Sequence, residues 1–294
     1  MNRTSLMPSI ADPPRWWLPH ETRSNGCFET MRAYQGKIFR LNAHLDRLYA
    51  SAKFLGTRAP VDREHLGRRL RSALERSGIR EAVVRVALMP GDGEARPHTT
   101  HTLSASEAGV GVGAHPSIVV QRVVLPSTSA YRRGIRVAIV PARKFAVGSI
   151  TPQAKYSARL GSVMAVMEAQ LRGMDEALFM DALGYVTEST ASNFGIIRQG
   201  TILTAPCSTG LLAGITRDVL FELAEGLQVP IREVPFTRHD VYNAEEAFLS
   251  STIKEVLAVT SVDGRRIGTG KPGPITKRLR QAFKDLVTTE LKPL

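Results

Sequence analysis

The residues best suited to chemistry in this chain are a lysine and a glutamate in irregular segments. Lys155 stands in Thr151-Pro-Gln-Ala-Lys155, just before a run of apolar residues at helical spacing. Glu188 lies between a short apolar run and the small residues 189–192, most of which carry hydroxyls. An amine can condense with an aldehyde, and a carboxylate can keep a ligand's ring nitrogen protonated. Taken singly, the two are equally well interpreted as a surface lysine and a loop glutamate.

Three further segments offer groups that bind anions. The loop Thr209–Gly214 runs into a helix at Ile215, and the unpaired amides at such an N-terminus suit a phosphate. The lysine of a nucleotide P-loop is missing there, which argues against a nucleotide. Ser250–Ile253 follows a strand and supplies a second set of donors. Arg47 lies in a helix, on a face with Arg40, His44 and Ser51 that we expect to be solvated, although Arg47 is able to reach an anion at a cleft edge.

Together these groups fit one ligand, pyridoxal phosphate. That molecule requires an amine for a Schiff base, an acid that keeps the pyridine nitrogen protonated, and donors for a doubly charged phosphate. The protonated ring withdraws electrons from a bound amine that has lost its Cα proton, so the acid must be a carboxylate. The sequence therefore predicts a cofactor-dependent enzyme.

Six segments in this order make the chain resemble the fold-type IV, or class IV, pyridoxal-phosphate enzymes. That family includes branched-chain aminotransferases, D-amino-acid aminotransferases and 4-amino-4-deoxychorismate lyases. The resemblance runs from about Gly26 to about Val287. The segments are Gly26–Arg32, Phe39–Leu48, Lys155 before its helix, Thr187–Asn193, Leu212–Arg217 and Ser251–Glu255.

The resemblance implies a role for each matching residue. Lys155 is then the catalytic, Schiff-base lysine, which moves a proton between the substrate Cα and the cofactor, and Glu188 is the partner of the pyridine nitrogen. Asn193 supports the cofactor loop. The remaining cofactor-binding residues form the phosphate cup and are Arg47, Gly214, Ile215, Thr216, Ser251 and Thr252.

The sequence is compatible with two reactions, transamination and the elimination of pyruvate. Branched-chain aminotransferases carry tyrosines where this chain has Leu160 and Val83, although Arg85 is kept. Arg159-Leu160 is similar to the lyases, as is Thr30, which stands where a lyase threonine assists the elimination of pyruvate. Residues 262–277 instead resemble the aminotransferases.

We expect transfer of the amino group of an amino acid, of branched-chain type, to 2-oxoglutarate. The alternatives are a 4-amino-4-deoxychorismate lyase, which releases pyruvate and 4-aminobenzoate, and a D-amino-acid or amine transaminase. Arg32 and Arg85 are candidates for binding a substrate carboxylate, because an arginine fork matches it bidentately, and each is equally a candidate ion-pair partner. Thr30 and Ile253 complete the candidate substrate site.

The elements that position these residues alternate between strands and helices, which predicts an α/β (α+β) fold. We place a small N-terminal α/β domain at residues 1–125, a linker rich in Pro, Ser and Thr at 126–134, and a larger β-rich, cofactor-binding domain with flanking helices at 135–294. The resemblance implies the same two domains and a homodimer. The helix after Lys155 is expected to bury a stripe of Leu160, Val163, Met164, Met167 and Leu171.

Composition excludes several classes. The 294 residues carry a formal net charge of +12, which raises the alternative of a basic nucleic-acid-binding scaffold, but the basic residues are scattered and no stacking pattern accompanies them. No run approaches the ~18 apolar residues of a membrane span. Residues 1–20 lack the pattern of a signal peptide, so we expect a cytoplasmic protein. His98 and His101 are not accompanied by further ligands, so we expect no metal. The expected partners are amino-acid and keto-acid substrates and a second copy of the chain.

Overall fold

The computed structural model describes residues 26–56, 61–89, 115–143 and 151–291. Within those ranges the chain forms two sheets with helices packed against them. The segment with His98 and His101 lies outside the described residues, as do residues 1–20.

The first sheet has four strands in the order β2-β1-β3-β4, all antiparallel. Two helices cover one of its faces. The elements are β1 (Cys27–Tyr34), β2 (Lys37–Ile38), α1 (Leu41–Phe54), α2 (Arg63–Ser77), β3 (Ala82–Met89) and β4 (His115–Arg122).

Strand alternation divides the residues of β1 and β3 between two environments. Cys27, Met31 and Val84 point towards the helices and join a buried apolar cluster with Leu45 and Leu66. The intervening residues, Phe28, Thr30, Arg32 and Arg85 among them, belong to the opposite face, with Thr30 directly across from Arg85. This face looks away from α1 and α2.

The helix limits follow local sequence signals in α2 but not in α1. The Asp62 side chain accepts from the His65 amide at 2.7 Å and begins α2, and Gly78 at φ 64° ends it. Helix α1 begins without such a signal. The cap position is Arg40, in a left-handed conformation at φ 51° and with no capping side chain.

The second sheet contains nine strands, six of which close into a ring: β8, β11, β12, β5, β6 and β7, with β7 pairing back to β8. Strands β9 and β10 extend it and β13 pairs with β12. The bounds are β5 (Ile135–Arg143), β6 (Glu176–Met180), β7 (Val186–Ser189), β8 (Asn193–Arg198), β9 (Thr201–Thr204), β10 (Ile231–Glu233), β11 (Glu246–Ser251), β12 (Glu255–Val262) and β13 (Arg265–Arg266).

Five helices accompany this sheet in the described residues. A short one occupies most of the segment predicted to be a linker, where the Ser127 side chain caps it. The predicted linker therefore contains a helical segment, whose first turn is capped by a hydroxyl. The five are α3 (Thr128–Arg133), α4 (Leu160–Leu171), α5 (Ile215–Gly226), α6 (Arg238–Tyr242) and α7 (Pro274–Glu290).

Helix α4 presents its large apolar side chains to solvent, which corrects the expected burial of that stripe. It packs on β5 and β6 through small residues, among them Ala165 and Ala169. Gly173 follows the helix at φ 69°, as predicted for its C-terminus. Leu160 is 71% exposed and Leu171 is 84% exposed, and Met164 and Met167 lie on the same exposed face.

A buried ion pair ties the first sheet to the second. Arg32 Nη1 lies 2.6 Å from Glu255 Oε1, and both side chains are almost fully buried. The Tyr34 hydroxyl donates to the same carboxylate oxygen at 3.1 Å, and the Arg32 guanidinium stacks on the Tyr34 ring. No helix in the described part of the chain is long and apolar enough to cross a membrane.

Candidate active site

Lys155 is held by its backbone between the two sheets. Its carbonyl accepts from the Phe28 amide at 3.0 Å, at the start of β1, and its own amide donates to the Ser51 hydroxyl of α1, also at 3.0 Å. The Ser157 amide donates to the Gly26 carbonyl at 2.8 Å. The irregular approach predicted from the sequence is thus fixed at three points.

The surroundings of Lys155 favour a neutral amine. Burial, together with the positive charges of Arg47 and Arg159, lowers its pKa from 10.5 to about 7, although Glu29 and Glu188 act in the opposite direction. The ammonium nitrogen lies 4.8 Å from the centre of the Phe28 ring. Near neutral pH the amine therefore exists in part as the free base, the form that reacts with an aldehyde.

Arg47 is placed by a buried carboxylate that sequence reasoning missed. Its Nε and Nη2 donate to the two oxygens of Glu29 at 2.6 and 2.9 Å. Burial opposes ionisation of Glu29, but the charge of Arg47 and the hydrogen bonds from His44 and Arg47 outweigh it and hold its pKa below the ordinary value. Burial lowers the pKa of His44 more than Glu29 raises it, so His44 is neutral and donates through Nδ1 at 2.8 Å.

The face of α1 that carries Arg47 is therefore buried, and the expectation that it is solvated is wrong. His44 and Ser51 are almost completely enclosed. Segments distant in the sequence cover this face: the Lys155 approach, and residue 213, whose carbonyl accepts from Arg47 Nη1 at 2.6 Å. The helical periodicity gave no signal for these contacts.

The predicted phosphate cup lies where Arg47 meets the N-terminus of α5. The first amides of a helix have no partner inside the helix, and no side chain of the described residues caps this one. Ile215 and Thr216 begin it and both are buried. A β-carbon on Gly214 would lie 1.9 Å from the Asn193 Oδ1 atom, so only glycine permits this close approach.

Glu188 lies on β7 opposite the first residue of β8, Asn193, where the ring of strands closes. Its Oε2 atom accepts from Asn193 Nδ2 at 3.1 Å and from the Leu212 amide at 3.2 Å. The Asn193 amide group also donates to the Leu212 carbonyl at 2.8 Å. Asn193 thus joins the carboxylate to the loop that leads into α5.

The second hydroxyl-rich segment forms a tight turn after β11. Ser250 pairs with Asn193 across the sheet, and the Ser251 hydroxyl accepts from the Lys254 amide at 3.2 Å. Lys254 is fixed in turn by an ion pair of 2.5 Å to Glu176. Thr252 and Ile253, at the tip of this turn, are partly buried.

Most of the predicted cofactor-binding residues therefore surround one region, whereas the predicted substrate-binding arginines lie in two different environments. Arg32 is engaged with Glu255, so the geometry supports its interpretation as an ion-pair partner and not as a carboxylate-binding residue. Arg85 lies with its guanidinium 5.7 Å from the Phe28 ring centre, beside Thr30. Arg159, not among the predicted site residues, lies 5.9 Å from the same ring and donates to the Thr190 carbonyl.

The charges and donors of this region fit pyridoxal phosphate. Lys155 supplies an amine with a lowered pKa, Glu188 a fixed carboxylate, and the α5 N-terminus with Arg47 a positive site for a phosphate. These groups are close enough to interact electrostatically, since the charges of Glu188 and Arg47 both shift the pKa of Lys155. No group of three or more His, Cys, Asp or Glu suited to a metal occurs among the described residues.

Known proteins are similar to this chain in sequence and in fold. The family described as amino-transferase class IV matches residues 26–262. A putative branched-chain-amino-acid aminotransferase of Methanocaldococcus jannaschii is 35% identical, with 90% of this chain and 88% of that protein covered. The branched-chain-amino-acid aminotransferase of Pseudomonas aeruginosa is also 35% identical, over 90% and 84% of the two chains. A solved T.th. branched-chain amino acid aminotransferase with pyridoxamine 5'-phosphate superposes with a TM-score of 0.81 at 30% identity, covering 92% and 87%.

The chain belongs to the class IV aminotransferase family. It is a pyridoxal-phosphate-dependent transaminase with the two-part α/β fold that the resemblance implied, so the predictions of fold class, enzyme class and cofactor are confirmed. The individual roles of the site residues and the domain boundaries stay predictions.

Proposed function

We propose that this enzyme transfers the amino group of a branched-chain amino acid to 2-oxoglutarate. The observation that carries the proposal is the Lys155 amine, whose backbone segment is fixed by three hydrogen bonds and whose lowered pKa leaves part of it neutral and able to react near pH 7. The similarity to branched-chain aminotransferases over 90% of the chain supports the substrate class.

Each residue has a defined task in this reaction. Lys155 would hold the cofactor through its aldehyde, and the Nζ atom would carry a proton to and from the substrate. Glu188 holds the pyridine nitrogen, with its Oε2 oriented by Asn193 and the Leu212 amide. Arg47, the amides of Ile215 and Thr216, and Thr252 bind the phosphate, and Gly214 leaves room for Asn193. The bound cofactor supplies an electron-withdrawing ring.

The substrate side combines an apolar ring with cations. Phe28 is buried and offers an aromatic wall to an aliphatic side chain. The guanidinium groups of Arg85 and Arg159 lie near the same ring and suit the carboxylates of an amino acid or of 2-oxoglutarate. We propose that Thr30, on the same face of β1 as Phe28, and Ile253 also line this space.

Two assays test the proposal. L-Leucine or L-valine with 2-oxoglutarate is expected to yield glutamate, and Lys155→Ala is expected to lose both this turnover and the visible absorbance of the bound cofactor. Turnover retained in Lys155→Ala would contradict the role of Lys155. Glutamate formed only from D-amino acids would overturn the assigned stereochemistry.

The lyase reaction is the second candidate, favoured by Thr30. Its side chain lies on the face of β1 that carries Phe28, directly opposite Arg85. Incubation with aminodeoxychorismate measures it: release of pyruvate, without glutamate from the first assay, would replace the transaminase assignment.

We further propose that the enzyme is a cytoplasmic homodimer and that α4 contributes to the contact between the subunits. Four large apolar side chains stand exposed along this helix, and the helix begins five residues after Lys155. A second copy of the chain that binds at α4 would also bring its own residues close to the active site.

A further inference from the structure

A second cavity, separate from the site around Lys155, lies between α7 and β12 beside α3. Its volume is about 210 Å³. Helix α7 forms one wall with a polar face, and β12, α3 and the segment before α7 form the apolar walls. The lining residues are Tyr131, Val256, Ala258, Pro272, Thr276, Lys277, Arg280, Gln281 and Lys284.

The polar wall is positively charged. Lys277, Arg280 and Lys284 follow one another at intervals of three and four residues, so they share one side of the helix. None of the residues that line this cavity in the described part of the chain is an Asp or a Glu. Three cations without a carboxylate among them favour an anionic occupant.

Two buried polar atoms of the wall have no hydrogen-bond partner in the described part of the chain. They are the hydroxyl of Thr276, a residue only 3% exposed, and the Nε of Arg280. Buried donors are nearly always satisfied, because an unmade hydrogen bond costs about 1–3 kcal/mol. Thr276 and Arg280 both line the cavity, so a ligand bound there would lie beside these two side chains.

Size and polarity narrow the chemical class of the ligand. A cavity of about 210 Å³ is smaller than the ~300–1,000 Å³ that is typical of drug-sized ligands, which excludes a nucleotide. Tyr131, Val256, Ala258 and Pro272 give it an apolar end. We propose that the cavity binds a small organic carboxylate, with its carboxylate towards Arg280 and Lys284 and a short apolar chain against β12.

Tyr131 connects this cavity to the turn at the active site, so that a bound ligand would influence the turn. The Arg280 guanidinium lies 3.8 Å from the Tyr131 ring centre, and the Tyr131 hydroxyl donates to the Lys254 carbonyl at 3.1 Å. Lys254 in turn bonds Ser251 in the predicted phosphate cup. A carboxylate that holds Arg280 therefore steadies the turn formed by residues 251–254.

Calorimetric titration of the holoenzyme with 3-methylbutanoate tests the proposal. We expect two classes of sites, one at the active site and one in the cavity. Thr276→Val and Lys284→Gln should each weaken the second class by about tenfold, the usual loss for a charge-assisted hydrogen bond, and leave the first unchanged. Arg278→Gln is the matched control, since it removes a charge from the same helix outside the cavity and should change neither class.

Inorganic phosphate, titrated in parallel, separates a carboxylate site from a general anion site. Weaker binding of phosphate than of 3-methylbutanoate in the second class supports the proposal. A titration in which no class of sites responds to Thr276→Val and Lys284→Gln, or phosphate binding without carboxylate binding, would each overturn it.

Discussion

At the scale of single residues, the lowered pKa of Lys155 has a direct consequence for the enzyme without its cofactor. With a pKa of about 7, the amine is protonated and unreactive below that pH and becomes free above it. An exposed lysine does the same only near 10.4. Labelling of the cofactor-free protein with an amine reagent, mapped by mass spectrometry, should show half-maximal reaction of Lys155 near pH 7.

Lys53 is the internal control for this experiment, because it is exposed on the last turn of α1. Labelling of both lysines over the same pH range would show that the site does not perturb Lys155.

Gly214 offers a second test at this scale. Gly214→Ala puts a methyl group 1.9 Å from the Asn193 side chain, which must then move away from Glu188. We expect cofactor affinity to fall by about tenfold or more, a loss of more than ~1.4 kcal/mol. Gly226→Ala, in the same helix with nothing within 4 Å, is the control and should retain full affinity. Equal affinity in both variants would refute the close-contact argument.

At the scale of elements, the two sheets are joined by the buried pair of Arg32 and Glu255. Arg32→Met leaves a buried carboxylate without its charge partner and should lower the free energy of unfolding by about 3–5 kcal/mol. A substrate-binding role predicts instead a raised KM with little change in stability. Denaturant unfolding and steady-state kinetics on the same variant distinguish the two.

Arg40 provides the matched comparison. It pairs with Glu222 and Glu290 on α5 and α7 but is partly exposed. Arg40→Met should therefore cost less than about 1 kcal/mol. The double variant Arg32→Met with Glu255→Met should regain much of the stability lost in the single one.

Local patterns predicted the elements well and their environments less well. The alternation of strands and helices was predicted from the sequence, and six short motifs predicted which segments come together around Lys155 and Glu188. Helical periodicity predicted a buried apolar stripe on α4, but these side chains are exposed in the structure. The periodicity identifies an apolar face and does not show which element covers it. The burial of Glu29, His44 and Ser51 depends on loops more than 100 residues away, which no local pattern contains.

At the scale of the whole molecule, the exposed stripe of α4 predicts association. Met164→Glu would place a charge in the proposed contact, where an unpaired ion is strongly disfavoured, and should weaken dimerisation by at least about tenfold. Sedimentation velocity measures the result. Gln170→Glu adds the same charge on an exposed position of the same helix and should leave the dimer intact if its contact is confined to the stripe.

A monomeric wild-type protein, or a Met164→Glu variant that dimerises as tightly as the wild type, would reject this use of α4. Activity of a purely monomeric form would further show that the partner subunit is not required for the reaction.

Helix α1 also fixes the distance between two contacts that join it to the second part of the chain. It touches the α5 approach through Arg47 and the lysine segment through Ser51, and these positions are one turn apart, a rise of about 6 Å. Substitutions between them leave that spacing untouched, whereas a single inserted or deleted residue would rotate one contact about 100° away from the other. This stretch should therefore tolerate a change of side chain at the exposed Ala50, but neither a polar residue at the buried Leu48 nor a change of length.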